Sequence, residues 1–384
     1  MKKAGLLLLC GALVFSACQK DPVPSKDATL DGVTVDVSGI TTSAQKLFVL
    51  NEGGMGSNNS TLDFLRFEDG KYITSAFKKM NPDVGAGLGD VGNDIAVNGD
   101  EVWMVINNSG IVEVVSAKDE IEIATVTVPT PRNIAFDNKY AYVTSWAGAY
   151  ANYGADYSIT DYSNPKGQVY RINLSTKKVD GTVEVGYQPE GIAVYNGKLY
   201  VANSGGIASQ LPPTYSYDNT VSIIDAASFK VEKTIEVQVN LKNVYSDGKG
   251  NIYVTTLGNY WDVHSGLYMV PVSAPEQVKV VSDYVSVSAL NGDTVYCIGT
   301  DSEFDWSGTP HVYSAWSVTG GVKKALSLNI QEATPYGLAV LNADTFIVAD
   351  AGDYFNPGSV ACYYKGSRRW SVTAGVCPGH FVLY

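Results

Sequence analysis

Histidine is scarce in this chain of 384 residues: there are three, and most routes to metal ligation and acid–base catalysis are missing with it. Basic residues are also in deficit. Lys and Arg number 27 against 39 Asp and Glu, for a net charge of −12. No cluster of Lys or Arg offsets that acid, which argues against a nucleic-acid surface and against a basic membrane-docking patch. There is no Gly-x-Ser-x-Gly elbow, no His-Glu-x-x-His helix, no phosphate-cradling glycine loop and no Cys-x-x-Cys pair. The expectation is therefore a protein that is not an enzyme, with no catalytic residue, metal or catalytic cofactor. His264 and the loop carboxylates Asp301, Asp305, Asp350 and Asp353 are the residues a catalytic or Ca²⁺ site would have to use.

Long apolar runs are absent too, with one exception. Lys2 and Lys3 precede an apolar stretch over residues 6–15, followed by Ser16, Ala17 and Cys18. That stretch is too short for a permanent span and reads as an export signal over residues 1–17. The small residues before Cys18 look like a lipobox, so Cys18 is expected to be acylated, with residues 18–45 as a polar tether. The expectation is a protein held to a bacterial membrane by that lipid. Of the remaining cysteines, export permits a Cys362–Cys377 disulfide that their spacing does not establish.

What is present in quantity is Tyr, Gly and a repeat. The segments Asn133-Ile134-Ala135-Phe136, Gly191-Ile192-Ala193-Val194 and Gly337-Leu338-Ala339-Val340 each follow a proline two positions earlier. A polar turn and an alternating run come after each: Ala141-Tyr142-Val143-Thr144, Leu199-Tyr200-Val201-Ala202 and Thr345-Phe346-Ile347-Val348. Similar blocks start near residues 92, 242 and 285. Each continues into two further β-branched strands with tight turns, which makes four antiparallel strands per repeat, the pattern of a propeller blade. A seventh blade opens at Lys46 without a first strand. Pro378-Gly379-His380-Phe381-Val382-Leu383 has the form of the missing one, so residues 46–384 are expected to form an all-β, seven-bladed propeller closed by its C-terminal strand.

Blade connectivity then sorts the loops by face. The turns between first and second strands are short and polar, as at Asn196-Gly197 and Asn291-Gly292-Asp293. The loops between second and third strands are long, aromatic and acidic, and all emerge on the other face. Long loops in a compact fold are usually functional, and Tyr and Trp offer contact area with polar tips. The candidate binding residues on this face are Trp146, Tyr150, Tyr153, Tyr215, Tyr217, Tyr260, Trp261, Asp305, Trp306, Asp350 and Tyr354, with Asn51, Glu52, Asn107 and Asn203 at the loop stems. Arg132, Glu190, Lys242 and Tyr336, together with Asn93 and His380, are expected to ring a central funnel on the same side.

The run Asn51-Glu52-Gly53-Gly54-Met55-Gly56-Ser57-Asn58-Asn59-Ser60 resembles the opening blade of a Bacteroidetes family of surface lipoproteins with YncE-like propellers. Pro189-Glu190-Gly191-Ile192-Ala193-Val194, Leu199-Tyr200-Val201-Ala202-Asn203-Ser204 and Asn219-Thr220-Val221-Ser222-Ile223-Ile224-Asp225 resemble its repeats. The resemblance implies a lipoprotein anchored in the outer membrane and facing the exterior, which captures cobalamin and passes it to a TonB-dependent outer-membrane transporter. A corrinoid is a broad macrocycle edged with amides and carrying a nucleotide tail, which suits a wide funnel rimmed by Tyr, Trp, Asn and Asp. The resemblance supplies no residue-level motif for that ligand. Two other readings stay open: a glycan- or protein-binding propeller of a different uptake system, and a metal-dependent propeller hydrolase or lyase.

Overall fold

Runs that are apolar at nearly every position make strands buried on both faces, whereas strict alternation leaves one face in water. The second strand of each repeat is of the first kind. Lys46–Asn51 is buried at all its positions, and Glu101–Ile106, Tyr140–Ser145, Lys198–Asn203 and Asn251–Thr256 at all but the first. The outermost strands, such as Lys230–Glu236, are largely exposed. A sheet graded this way, dry inside and wet outside, packs its broad faces against neighbours and turns its outer edge to solvent.

The computed structural model describes residues 30–147, 152–153, 159–161, 166–205, 217–259, 262–300 and 311–384. Among the described residues seven antiparallel blade sheets form, six of them with their strands in sequence order from inner to outer. Blade 2 covers residues 92–127, blade 3 131–184, blade 4 189–236, blade 5 241–283, blade 6 285–326 and blade 7 335–376. Blade 1 is composite: Pro378–Leu383 pairs antiparallel with Lys46–Asn51, aligning Phe48 with Val382 and Leu50 with His380. The ring therefore closes as the sequence predicted, with the C-terminal strand as the inner strand of the N-terminal blade. Apolar clusters sit between blades. One joins Leu47, Val49 and Leu65 of blade 1 to Ile347, Ala349 and Val360 of blade 7, and others join blades 2 and 3, 4 and 5, and 6 and 7. Each fully buried Leu, Val or Phe in these walls contributes roughly 1.5–3 kcal/mol.

One expectation needs correction, and one question the sequence left open is answered. Residues up to 45 were assigned to the tether, but the compact unit begins at Gly32. Val33–Thr34 adds a fifth strand to the outer edge of blade 1, and Val35 is buried in the wall between blades 1 and 7. Arg369 pairs with Asp36 at 2.8 Å, and Trp370 Nε1 donates to Asp36 O at 3.0 Å. The signal was the alternation Val33-x-Val35-x-Val37, hidden by the polar residues around it. Secondly, Cys297, Cys362 and Cys377 are buried free thiols. Cys362 belongs to the apolar wall between blades 7 and 1, while Cys377 Sγ lies 3.6 Å from Tyr354 O, so the permitted disulfide is not formed.

Candidate functional site

The funnel is built by one backbone irregularity repeated around the ring. In all seven blades the pairing of first and second strand shifts register where the first strand begins, as between Gly92 and Asp94 or Pro189 and Ile192. A bulge re-aims the side chains it carries. Proline stands at the first position in four of these strands (Pro131, Pro189, Pro335, Pro378), where a ladder N–H is not needed. Immediately before the strand, Val91, Thr130, Gln188, Asn240, Tyr284 and Cys377 all take positive φ. For β-branched Val91 and Thr130 that conformation is costly, and it persists because the ring over-determines it.

The third residue of every first strand lines a cavity of about 540 Å³, as do the second residues Lys242, Ser286, Tyr336 and Gly379 of blades 5, 6, 7 and 1, whereas Asn93, Arg132 and Glu190 lie outside that lining. Their polar groups form two committed clusters and one open arc. In the first cluster, Arg132 Nε lies 3.0 and 3.1 Å from the two carboxylate oxygens of Glu190, and Nη2 adds a contact at 3.0 Å. The same guanidinium stacks 4.3 Å from the ring centroid of Trp146, the first residue of the blade 3 loop. Asn93 steadies this corner by donating to Arg132 O at 2.7 Å, and Thr144 Oγ1 donates to Glu190 O at 2.7 Å.

The second cluster spans blades 1 and 7. Glu52 accepts from Tyr336 OH at 2.8 Å and contacts His380 Nε2 at 3.0 Å. Burial pushes the Glu52 carboxyl up, but His380, Tyr336 and the charge of Lys242 outweigh it and hold the group below its usual range. The Tyr336 phenol is driven far up by burial and by Glu52. Tyr354 packs edge-on against Tyr336, with centroids 5.7 Å apart, and is half exposed. Asp94, below the rim, accepts from Ile95 N and Ile134 N at 2.9 Å each, and burial raises its pKa.

The open arc belongs to blades 5 and 6. Lys242 and Ser286 occupy the second position of their first strands, and both side chains are exposed at the mouth. Among the described residues no carboxylate pairs with Lys242. Deeper in, Asn243 Nδ2 lies 3.4 Å from Ser288 Oγ, and Tyr245 OH donates to Ser288 O at 3.0 Å.

Three predicted contact residues sit elsewhere. Asn51 and Asn203 are fully buried and Asn107 nearly so. Asn51 Nδ2 donates to Thr61 Oγ1 at 2.9 Å, Asn107 Nδ2 to Pro131 O at 2.9 Å, and Asn203 Nδ2 to Thr220 Oγ1 at 3.0 Å. An amide at the end of a second strand clamps the chain beside it, so these residues hold loop stems and do not line the rim. Asp350 is likewise engaged, accepting from Ala333 N, Thr334 N and Gly352 N as a turn cap. Tyr217 lies at the base of its loop, where Gly205 (φ +82°) comes so close to Asp218 N that a Cβ would stand 1.8 Å from it. Tyr153 lies on a two-stranded hairpin with Ile159–Asp161. Tyr150, Tyr215, Tyr260, Trp261, Asp305, Trp306 and Cys18 lie outside the described residues.

Sequence reasoning missed Asp94, Asn133, Asn243 and Ser286 as funnel residues. The signal was available, since each stands one or two places after the first-strand start that the repeat defines. Missed also was an apolar outer rim: Met55, Val312 and Phe355 are 76%, 79% and 87% exposed on the loop-bearing face. Among the described residues no three His, Cys, Asp or Glu side chains gather as metal ligands, and no helix is long and apolar enough to cross a membrane.

No known family model and no curated protein matches the chain. Solved structures do. A functionally unknown protein from Desulfotomaculum acetoxidans is 12% identical, with a TM-score of 0.61 over 88% of this chain and 99% of that one. A proposed 6-phosphogluconolactonase from Bacteroides uniformis is 10% identical, with a TM-score of 0.57 over the same shares. Kuenenia stuttgartiensis hydrazine synthase is 13% identical, with a TM-score of 0.55 over 75% and 88%. The chain is a seven-bladed β-propeller. At these identities the likeness extends to the fold alone.

Proposed function

We propose that this protein is a non-catalytic, lipid-anchored surface receptor. It captures a cobalamin-type corrinoid on the loop-bearing face and delivers it to a TonB-dependent outer-membrane transporter. The observation that carries the reading is a polar cavity to which every blade contributes, with the Trp146 ring stacked on the Arg132 guanidinium on the loop-bearing side. A cavity of about 540 Å³ admits one arm of such a ligand, while the macrocycle rests on the rim. Trp146, Tyr336, Tyr354 and Phe355 offer rigid apolar area there, and the amides and charges of the funnel suit a ligand edged with amides.

Calorimetric titration with cyanocobalamin, run beside a panel of oligosaccharides, tests this directly. The expected outcome is saturable heat with cyanocobalamin at micromolar protein and none with the sugars. Heat with an oligosaccharide alone would move the protein to a glycan-uptake system.

A hydrolytic reading has one observation in its favour. His380 is backed by Glu52 at 3.0 Å inside the funnel, an arrangement suited to proton transfer, and one similar structure is described as a lactonase. It requires hydrolysis of a sugar lactone that His380→Ala abolishes while ligand binding persists.

A further inference from the structure

The charged side chains of the funnel divide into those already spoken for and one that is not. Arg132 and Glu190 neutralise each other through a two-pronged contact. Glu52 is shared between Tyr336 and His380, and Asp94 is capped by two backbone N–H groups. Lys242 alone lines the cavity as a fixed charge with no direct partner among the described residues. Among the described residues the other charged groups of the funnel already have hydrogen-bonding partners, whereas the donors of the Lys242 ammonium at the mouth are open to an anion. The exposed Ser286 hydroxyl holds the equivalent bulge position on the next blade, and the Asn243 amide follows Lys242 along its own strand.

We propose that the arc formed by Lys242, Asn243 and Ser286 is an oxyanion subsite for the phosphodiester of the captured ligand. It deepens the capture reading and rests on it for the ligand's identity, though not for the site itself. An ammonium has three donors without a fixed plane, and with a hydroxyl and an amide beside it the set surrounds a tetrahedral oxyanion better than a planar carboxylate. Charge-assisted bonds of this kind are the strong ones. The Lys242 charge also acts on Glu52 across the funnel. An arriving phosphodiester screens that attraction without displacing an ion pair, and the Asn243 amide, which reaches Ser288 Oγ at 3.4 Å through one N–H, has the other to offer.

The test uses dimethyl phosphate as probe, followed by ³¹P line broadening on the full chain. Wild type, Lys242→Gln, Lys242→Arg and the outer-strand control Lys178→Gln are compared, each first shown to melt as wild type does. Saturable broadening is expected with wild type, weakened about tenfold in Lys242→Gln, largely kept in Lys242→Arg and unchanged in Lys178→Gln. Equal broadening by wild type and Lys242→Gln, or none with wild type, overturns the subsite. Acetate competing as well as dimethyl phosphate overturns its assignment to a phosphodiester. Cyanocobalamin titrated into the same samples separates the two claims. If the probe binds through Lys242 and cyanocobalamin does not bind, the capture reading fails and the subsite stands; if cyanocobalamin binds wild type and Lys242→Gln equally, the subsite fails and capture stands.

Discussion

The two faces of the propeller are made from the same strands and differ in what their connections leave unsatisfied. On the face of the short turns, carboxylates close onto their own backbones. Asp137 accepts from Lys139 N, Tyr140 N and Tyr142 OH, Asp225 from Ser228 N and Oγ, and Asp247 from Lys249 N, Asn251 N and Asn251 Nδ2. Such turns have spent their hydrogen-bonding capacity and have little left to offer a ligand. On the other face are Lys242, without a direct partner among the described residues, and Met55, Val312 and Phe355, largely in water. Apolar side chains left in water gain no fold stability, so under the capture reading proposed above these three are the rim residues to test.

The contrast predicts opposite effects from substitutions on the two faces. The largest is expected at Asp247, a buried carboxylate that holds the first turn of blade 5 through three contacts of 2.6 to 3.0 Å. Asp247→Ala should lower stability by about 2 kcal/mol, because the turn loses three charge-assisted bonds and leaves part-buried donors without their acceptor. Denaturant unfolding measures this, and cyanocobalamin affinity should stay at the wild-type value. An affinity loss comparable to that of a rim variant would break the division of labour between faces.

Next in size is Trp146→Ala. The indole lies under the Arg132 guanidinium at the funnel mouth, so truncation removes both apolar area and the stack that orients the ion pair. Affinity should fall about tenfold, the scale of an interface anchor, with stability changed by less than about 1 kcal/mol. Titration and thermal melting on one preparation give both numbers. A large fall in melting temperature with unchanged affinity would make Trp146 a packing residue and shift the contact surface elsewhere on the rim.

How much of this was legible in the sequence follows from what repeats. The blades were readable because Pro-x-x-apolar and the buried second strand recur in register, and the closure by Pro378–Leu383 followed from the same count. Residues 33–45 were not, since the short strand Val33–Thr34 and the Val35 and Val37 that follow it have no second copy to compare. Within the site, Arg132, Glu190, Lys242 and Tyr336 were placed by their repeat position. That repeat could not say that Arg132 and Glu190 would satisfy each other while Lys242 stayed open, because the neighbour that matters lies across a blade boundary, 58 residues away in that pair. Asn51, Asn107 and Asn203 looked like rim residues for the opposite reason: an amide at a strand end reads the same whether it meets a ligand or the adjacent chain.

The smallest expected effect is the sharpest discriminator between a rim that binds and one that is merely wet. Phe355 is 87% exposed, and its loop is held by Asp353, which accepts from Phe355 N, Asn356 N and Asn356 Nδ2. The ring therefore adds nothing to the packing of blade 7, and Phe355→Ser should leave stability within about 0.5 kcal/mol of wild type. A ligand broad enough to cover the mouth from blade 5 to blade 7 would bury part of that ring, and the variant should then bind about threefold more weakly. Because Phe355 and Lys242 stand on blades separated by a third, their losses should add in the double variant Phe355→Ser/Lys242→Gln. Additive losses would mean that one ligand spans both points. A loss from Lys242→Gln with none from Phe355→Ser would confine the ligand to the funnel and leave the apolar rim for the delivery partner.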